Sequence, residues 1–261
     1  MRRWRPVVLT LALLVAMSPL AQAKVATINL TSDGCSIQVT LMEKPTARLK
    51  TLIEKDNGRY FYDLPGNQEW YPLQMGPGSY RVHLLEHDVG NTYKFIQSEE
   101  VAVSSSRTEA VFLSSVQNIP WKQAPLATAK ARELTSTAIS VQDKLKAIYD
   151  YITENIAYDD AKAANLASDY LPSPDGTISS GRGVCYDYAS LLASMLRSVG
   201  IPSKLVMGTA MGIKDYHAWN EVYVDGQWST MDVTYDARIK AAGLHVGMTK
   251  NKKDYQSDKV Y

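Results

Sequence analysis

One cysteine in the second half of the chain has the surroundings that a thiol nucleophile needs. Cys185 follows Gly181-Arg182-Gly183-Val184, and apolar residues then recur every three or four positions as far as Val199. This spacing predicts a buried helix with Cys185 in its first turn and a stop at Gly200. The free N–H groups and the dipole of that turn would favour the thiolate, which attacks carbonyl carbon. Gly183 would leave room beside the thiol for a substrate backbone.

A histidine and an aspartate downstream could supply proton transfer to this thiol. His217 and Asp232 lie in two strand-like runs, 216–224 and 227–233, which are joined by the strong hairpin signal Asp225-Gly226. In that register His217 opposes Thr234, and Asp232 is its diagonal neighbour on the same face, roughly 7–8 Å away. The carboxylate would orient the imidazole, which would act first as a base and then as an acid.

Each of these residues also has an ordinary structural explanation. A lone helical cysteine is usually an apolar packing residue, a strand histidine is usually a bystander, and a strand-end aspartate usually caps a turn. In an exported chain the two cysteines, Cys35 and Cys185, could also form a disulfide. The occurrence of cysteine, histidine and aspartate together favours catalysis. Cys35 lies in a turn-like context and is interpreted as structural or incidental.

The elements that must position these residues fall into two regions. Residues 24–118 contain short alternating runs separated by Gly, Pro and Asn, which predicts antiparallel strands and a small β-sandwich. Beyond it, 141–156 has helical spacing with Ser140 as N-cap, whereas 159–181 predicts a long loop after a short helical stretch. The predicted organisation is α+β, with an accessory β-sandwich at 24–118 followed by an α+β catalytic domain at 119–261.

The first 23 residues are typical of a secretory signal peptide. Arg2, Arg3 and Arg5 precede a short apolar run at 7–17, and small residues stand at Ala21 and Ala23. The run is well short of the roughly 20 residues that span a bilayer. We therefore expect cleavage after Ala23 and a secreted, extracellular protein with no membrane span.

Composition and histidine spacing restrict the partners. The chain has 28 Lys and Arg against 27 Asp and Glu, which argues against nucleic acid or an anionic membrane as a partner. His83 and His87 are a close pair, but no zinc spacing emerges and no calcium-binding loop is recognisable. The sequence predicts no metal and no cofactor.

Several short motifs resemble the transglutaminase-like superfamily of bacterial secreted proteins. They extend from about Leu145 to Thr234 and include Gly183-Val184-Cys185-Tyr186-Asp187, Gly200-Ile201-Pro202, His217-Ala218-Trp219, Asp225-Gly226-Gln227-Trp228 and Asp232-Val233-Thr234. The resemblance implies a papain-like α+β fold with Cys185 as nucleophile, His217 as general base and Asp232 as orienting acid. Val233 departs from the proline of many relatives, which should affect only local strand geometry.

Two aromatic residues are candidates for the cleft. Acyl transfer needs hydrogen-bond donors for the oxyanion, and the backbone N–H of Cys185 should be one. Tyr158 resembles a position where relatives place an aromatic donor, although a core tyrosine that caps the preceding helix would look the same. Trp219, next to His217, is either a cleft wall or a packing residue.

Every use of such a triad would begin with thiolate attack on an amide carbonyl, which gives a thioester and releases an amine. The acceptor could then be water, a lysine amine or the substrate's own amine, and the triad does not distinguish between them. Export and the sandwich suit an extracellular peptide or protein substrate. The alternative is a non-catalytic extracellular binding or cell-envelope module that retains the fold.

Overall fold

The computed structural model describes residues 24–104, 109–167 and 169–261, and the predicted signal peptide at 1–23 lies outside the described residues. Within those ranges, no helix is both long and apolar enough to cross a membrane. The fold is mixed α+β, as the sequence predicts.

Antiparallel strands in the first part of the described chain form a β-sandwich. The strands are β1 (Ala26–Leu30), β2 (Ser36–Leu41), β3 (Leu49–Lys55), β4 (Gly58–Leu64), β5 (Gln68–Pro72), β6 (Gly78–His87) and β7 (Tyr93–Val103). One sheet has the order β1-β2-β5 and the other the order β4-β3-β6-β7. Ile37, Tyr71 and Tyr80 are among the buried side chains that join both sheets in one core. The predicted sandwich is confirmed.

The rest of the described chain combines helices with a second antiparallel sheet. The helices are α1 (Pro125–Leu134), α2 (Val141–Asn155), α3 (Asp160–Ala164), α4 (Pro174–Ser180), α5 (Cys185–Ser198) and α6 (Val233–Ala241). The strands are β8 (Ala157–Tyr158), β9 (Arg182–Gly183), β10 (Ser203–Ala210), β11 (His217–Val224), β12 (Gln227–Met231), β13 (Thr249–Lys250) and β14 (Tyr255–Val260). The sheet order is β13-β12-β11-β10-β14, and β8 and β9 form a separate parallel pair.

The central element of this second part is α5. Every residue from Tyr186 to Arg197 is buried. Leu191, Leu192 and Met195 share a core with residues of α1, α2, β11 and β12. Since burial of one such side chain contributes about 1.5–3 kcal/mol, this packing fixes α5 firmly between the helices and the sheet. The beginning of α5 is therefore a rigid place for a reactive group.

The helix predicted at 141–156 is confirmed as α2. Asp143 N–H donates to Ser140 Oγ at 3.0 Å, and Ser140 N–H donates to Asp143 Oδ2 at 3.1 Å, which is a reciprocal cap. The short helical stretch predicted within 159–181 is present as α3, but the long loop predicted after it is wrong, because that part contains α4. Pro174 begins α4 and Gly181 ends it with a left-handed φ of 63°. The residues that suggested a loop are the boundaries of a short helix.

The last strand joins the two parts of the molecule. Tyr261 exchanges backbone hydrogen bonds with Leu205 of β10 at 2.8 and 3.0 Å. The Tyr261 ring packs against the sandwich core and lies edge-on to Tyr60 and Tyr62, with ring centroids 5.6 and 6.1 Å apart. Gln74 Nε2 donates to the Val260 carbonyl at 3.2 Å. The sandwich thus holds one end of a strand that belongs to the other sheet.

Candidate active site

Cys185 is the first residue of α5, as the sequence predicts, and it is half-buried. Cys35 is also a free thiol, and it lies in a separate cluster with Val111 and Phe112. Burial, reinforced by the charge of Asp33, raises the pKa of Cys35 above its usual range. Cys35 therefore stays protonated and fits the structural role predicted for it, while Cys185 is free to react.

Asp187 anchors the segment in front of Cys185. Its fully buried carboxylate accepts hydrogen bonds from Val184 N–H at 2.9 Å and from Lys162 Nζ at 2.6 Å. The Tyr170 hydroxyl donates to the other carboxylate oxygen. Because Lys162 and Tyr170 belong to the stretch between α2 and α4, this one carboxylate ties that stretch to the start of the nucleophile helix.

The structure gives Gly183 a different role from the predicted one. A Cβ at this position would lie 2.7 Å from Asp187 Cβ and 3.3 Å from Thr177 Cγ2. The missing side chain therefore makes room for Asp187, and its role in leaving room for a substrate stays a prediction. Gly183 also pairs with Tyr158 across β8 and β9, which brings that tyrosine close to the nucleophile.

His217 and Asp232 are in direct contact, and both are buried. His217 Nε2 and Asp232 Oδ2 are 2.7 Å apart. Since Nε2 faces the carboxylate, Nδ1 is the ring nitrogen that remains for a thiol. The pair that the sequence predicts from hairpin register is therefore present.

The detail of that register differs from the prediction. The hairpin pairs as expected from Val224 with Gln227 to Asn220 with Met231, but β12 then ends. Asp232 is the N-cap of α6, and its Oδ1 accepts from Tyr235 N–H at 3.0 Å. Thr234, predicted opposite His217, lies in α6 instead. His217 pairs with Gly208 of β10, on the other side of β11. The contact between His217 and Asp232 forms at the point where the chain leaves β12 and begins α6.

The environment of His217 determines its charge. Burial alone lowers the pKa of His217, but the hydrogen bond to Asp232, the charge of that carboxylate and the neighbouring Cys185 raise it to about 9. The imidazole, which is hydrogen-bonded to the Asp232 carboxylate, is therefore protonated at neutral pH. An imidazolium in this position can stabilise a thiolate and can give its proton to a leaving amine.

Two aromatic rings pack beside the His217 imidazole. Trp219 is only 2% exposed, and its ring is stacked on His217 with centroids 6.4 Å apart and planes 22° apart. Tyr255 lies 5.1 Å from Trp219, and its hydroxyl donates to Asp232 Oδ2 at 3.0 Å. Trp219 thus packs in the core and also supports the imidazole. The sequence did not predict Tyr255, because no motif surrounds it and only the pairing of β14 with β10 brings it to Asp232.

Tyr158 is half-buried and packs against the same apolar cluster as Cys185. Burial, followed by the charge of Cys185, raises the pKa of Tyr158, so its phenol is neutral. Arg238 lies over the Tyr158 ring, 4.7 Å from the centroid, and both residues line a cavity of about 520 Å³ with Tyr188. The role of Tyr158 as a donor to the oxyanion stays a prediction.

A half-buried thiol at a helix start and a buried imidazole hydrogen-bonded to a buried carboxylate lie in a mixed α+β fold, an arrangement that suits cysteine-dependent acyl transfer. Residues 128–233 match the family described as the transglutaminase-like superfamily. Cys185, His217 and Asp232 all lie within the matched residues.

The chain is similar to three further proteins. An uncharacterized Mycobacterium leprae protein, ML0607, is 33% identical over 111 residues, which are 36% of this chain and 39% of the relative. The Kyphoscoliosis peptidase of Mus musculus is 28% identical over 117 residues, 41% of this chain and 18% of the peptidase. A Cytophaga hutchinsonii crystal structure, described as a candidate cysteine protease, is 18% identical over 87% of this chain and 86% of that chain, with a TM-score of 0.45. The chain thus spans well under half of these two curated relatives.

Proposed function

We propose that this protein is an exported enzyme that transfers acyl groups from peptide or protein amides through a thioester on Cys185. The observation that carries the proposal is the buried pair of His217 Nε2 and Asp232 Oδ2, which are 2.7 Å apart, with Cys185 near enough to His217 to contribute to its raised pKa. One imidazole therefore bonds to the group that would orient it and lies near the group that would attack. A cysteine and a histidine that served only in packing would not need this shared arrangement.

The first half of the reaction forms the thioester. The Cys185 thiolate attacks the amide carbonyl carbon, and the backbone N–H of Cys185 and the Tyr158 hydroxyl donate to the developing oxyanion. The His217 imidazolium gives its proton to the amide nitrogen as the C–N bond breaks, and the amine leaves. Asp232 keeps the imidazole ring in place and balances its charge.

The second half transfers the acyl group to an acceptor. Neutral His217 takes a proton from water or from an amine, which attacks the thioester carbon and restores the thiolate. Water would give hydrolysis, a lysine amine would give a crosslink, and the substrate's own amine would give a ring. The leader-like residues 1–23 and the nearly balanced charge support an extracellular peptide or protein as substrate.

Product analysis tests this proposal. Purified residues 24–261 and their Cys185→Ala variant are incubated with extracellular protein and peptide mixtures, and the products are identified by mass spectrometry. Loss of ammonia at glutamine with a new lysine bond means crosslinking, release of a small ring means cyclisation, and new termini mean hydrolysis. Cys35→Ala is the matched control, because it removes the other thiol at a distance from the site, and it should keep full activity. Identical products from Cys185→Ala and the unmodified protein would refute the proposal.

A further inference from the structure

The hydroxyl of Tyr255 shares a carboxylate oxygen with the imidazole of His217. Asp232 Oδ2 accepts from His217 Nε2 at 2.7 Å and from the Tyr255 hydroxyl at 3.0 Å, while Oδ1 accepts from Tyr235 N–H. Burial, followed by the charge and hydrogen bond of Asp232, raises the pKa of Tyr255 well above its usual range. The phenol is therefore a neutral donor at neutral pH.

When a carboxylate oxygen accepts a second hydrogen bond, the hydrogen bond that it accepts from the first donor becomes weaker. The Tyr255 hydroxyl disperses part of the negative charge of Oδ2 that would otherwise act on the His217 proton. We propose that Tyr255 is a positioning residue that limits how strongly Asp232 holds the proton on His217. The proposal rests on the function proposed above for its catalytic meaning, since it concerns the same triad.

The limit that Tyr255 places on the interaction between Asp232 and the His217 proton matters for the second half of the reaction. His217 must be protonated to release the first amine, but it must be neutral to accept a proton from the acceptor. A carboxylate bonded to His217 alone would favour the imidazolium more strongly and would slow the second half at neutral pH. By sharing Oδ2, Tyr255 keeps His217 able to change its protonation state between the two halves.

Other charged and titratable groups lie near the Asp232 carboxylate, but their side chains interact with other partners. Asp236 of α6 accepts from the Tyr149 hydroxyl of α2 at 2.9 Å and pairs with Lys250 of β13. The ring of Tyr235 is exposed, and only its backbone N–H bonds to Asp232. Cys185 also contributes to the raised pKa of His217. Tyr255 is thus the side chain that competes directly with His217 for Oδ2.

The test is an imidazole titration of the whole protein followed by NMR. Tyr255→Phe keeps the ring on Trp219 and removes only the hydroxyl, so the pKa of His217 should rise by about one pH unit. Tyr216→Phe is the matched control, because Tyr216 precedes His217 and its hydroxyl donates to Asp258 at 2.8 Å, outside the triad. It should leave the pKa of His217 unchanged. An unchanged or lowered His217 pKa in Tyr255→Phe would overturn the proposal.

A double substitution separates this role from general support of the fold. In Asp232→Asn the carboxylate is gone, so the addition of Tyr255→Phe should produce no further rise in the pKa of His217. The same rise in both backgrounds would also overturn the proposal, because the effect would not pass through Asp232. The titration needs no substrate, so its failure is distinguishable from a failure of the proposed enzymatic function. With a substrate in hand, Tyr255→Phe should slow thioester breakdown at pH 7 more than thioester formation.

Discussion

Asp232 performs two tasks with one carboxylate. Oδ1 caps α6 through Tyr235 N–H, and Oδ2 bonds to His217 Nε2. The direction of the helix and the orientation of the imidazole are therefore fixed by the same group. This explains why Asp232 is fully buried although it carries a charge, since each of its oxygens has a donor.

Asp232→Asn should separate these two tasks. The amide oxygen can still cap α6, but the amide nitrogen cannot accept a hydrogen bond from His217 Nε2. We expect the pKa of His217 to fall from about 9 toward its ordinary range, and kcat to fall on the order of 10³–10⁴-fold. NMR titration and steady-state kinetics measure the two effects. Retention of both the pKa and the activity would show that Asp232 does not orient His217.

The raised pKa of His217 also makes stability depend on pH. Its value of about 9 in the folded protein exceeds the ordinary value of 6.5, so the contribution is complete below about pH 6.5 and is lost as the pH rises through 9. The free energy of unfolding should fall by on the order of 1–3 kcal/mol across this window. Urea unfolding at pH 6, 8 and 9.5 tests this, with His217→Gln as the variant in which the decline should be much smaller. An equal decline in both proteins would assign it to other groups.

At the scale of elements, the site depends on how closely β14 approaches β10. A Cβ at Gly208 would lie 2.0 Å from the Gln256 backbone oxygen, next to a shift in the pairing register of the two strands. Only glycine allows this approach. Since Tyr255 is the first residue of β14, the spacing of these two strands decides whether its hydroxyl reaches Asp232.

Gly208→Ala should therefore damage both stability and the site. The added methyl group forces β14 away from β10, and we expect a loss of about 1–3 kcal/mol in the free energy of unfolding. Activity of the remaining folded protein should fall as well, because Tyr255 would move. Gly66→Ala is the control, since nothing lies within 4 Å of a Cβ at Gly66. Thermal unfolding and kinetics would contradict this account if the two alanine variants behaved alike.

The elements that could be predicted were those whose sequence signals lie within a few neighbouring residues. The three- and four-residue spacing of α5 and the cap at Ser140 predicted two helices correctly. The run from Gln227 was predicted to continue as a strand through Val233, but the cap formed by Asp232 starts α6 there. Local propensity did not reveal that this side chain, once held by His217, would also cap a helix.

At the scale of the molecule, sequence motifs predicted the residues of the site but did not predict the residues that support them. Cys185, His217 and Asp232 were predicted from spacing and resemblance, and the contact between His217 and Asp232 is present in the structure. Tyr255 was not predictable, since its place depends on pairing between strands that are far apart in sequence. The predicted boundary between 118 and 119 stays a prediction, because β14 contacts both parts of the molecule.

The position of β14 has a consequence for any shortened form of this protein. Residues 128–233, which match the family, include the cysteine, histidine and aspartate but exclude β14. Such a fragment would leave the β10 edge open, with unpaired N–H and C=O groups that can pair with another chain. We expect it to aggregate where residues 24–261 remain dispersed, as measured by light scattering at equal concentration. A monodisperse fragment would mean that the three strands of the sheet left in it, β10, β11 and β12, tolerate an open edge at β10.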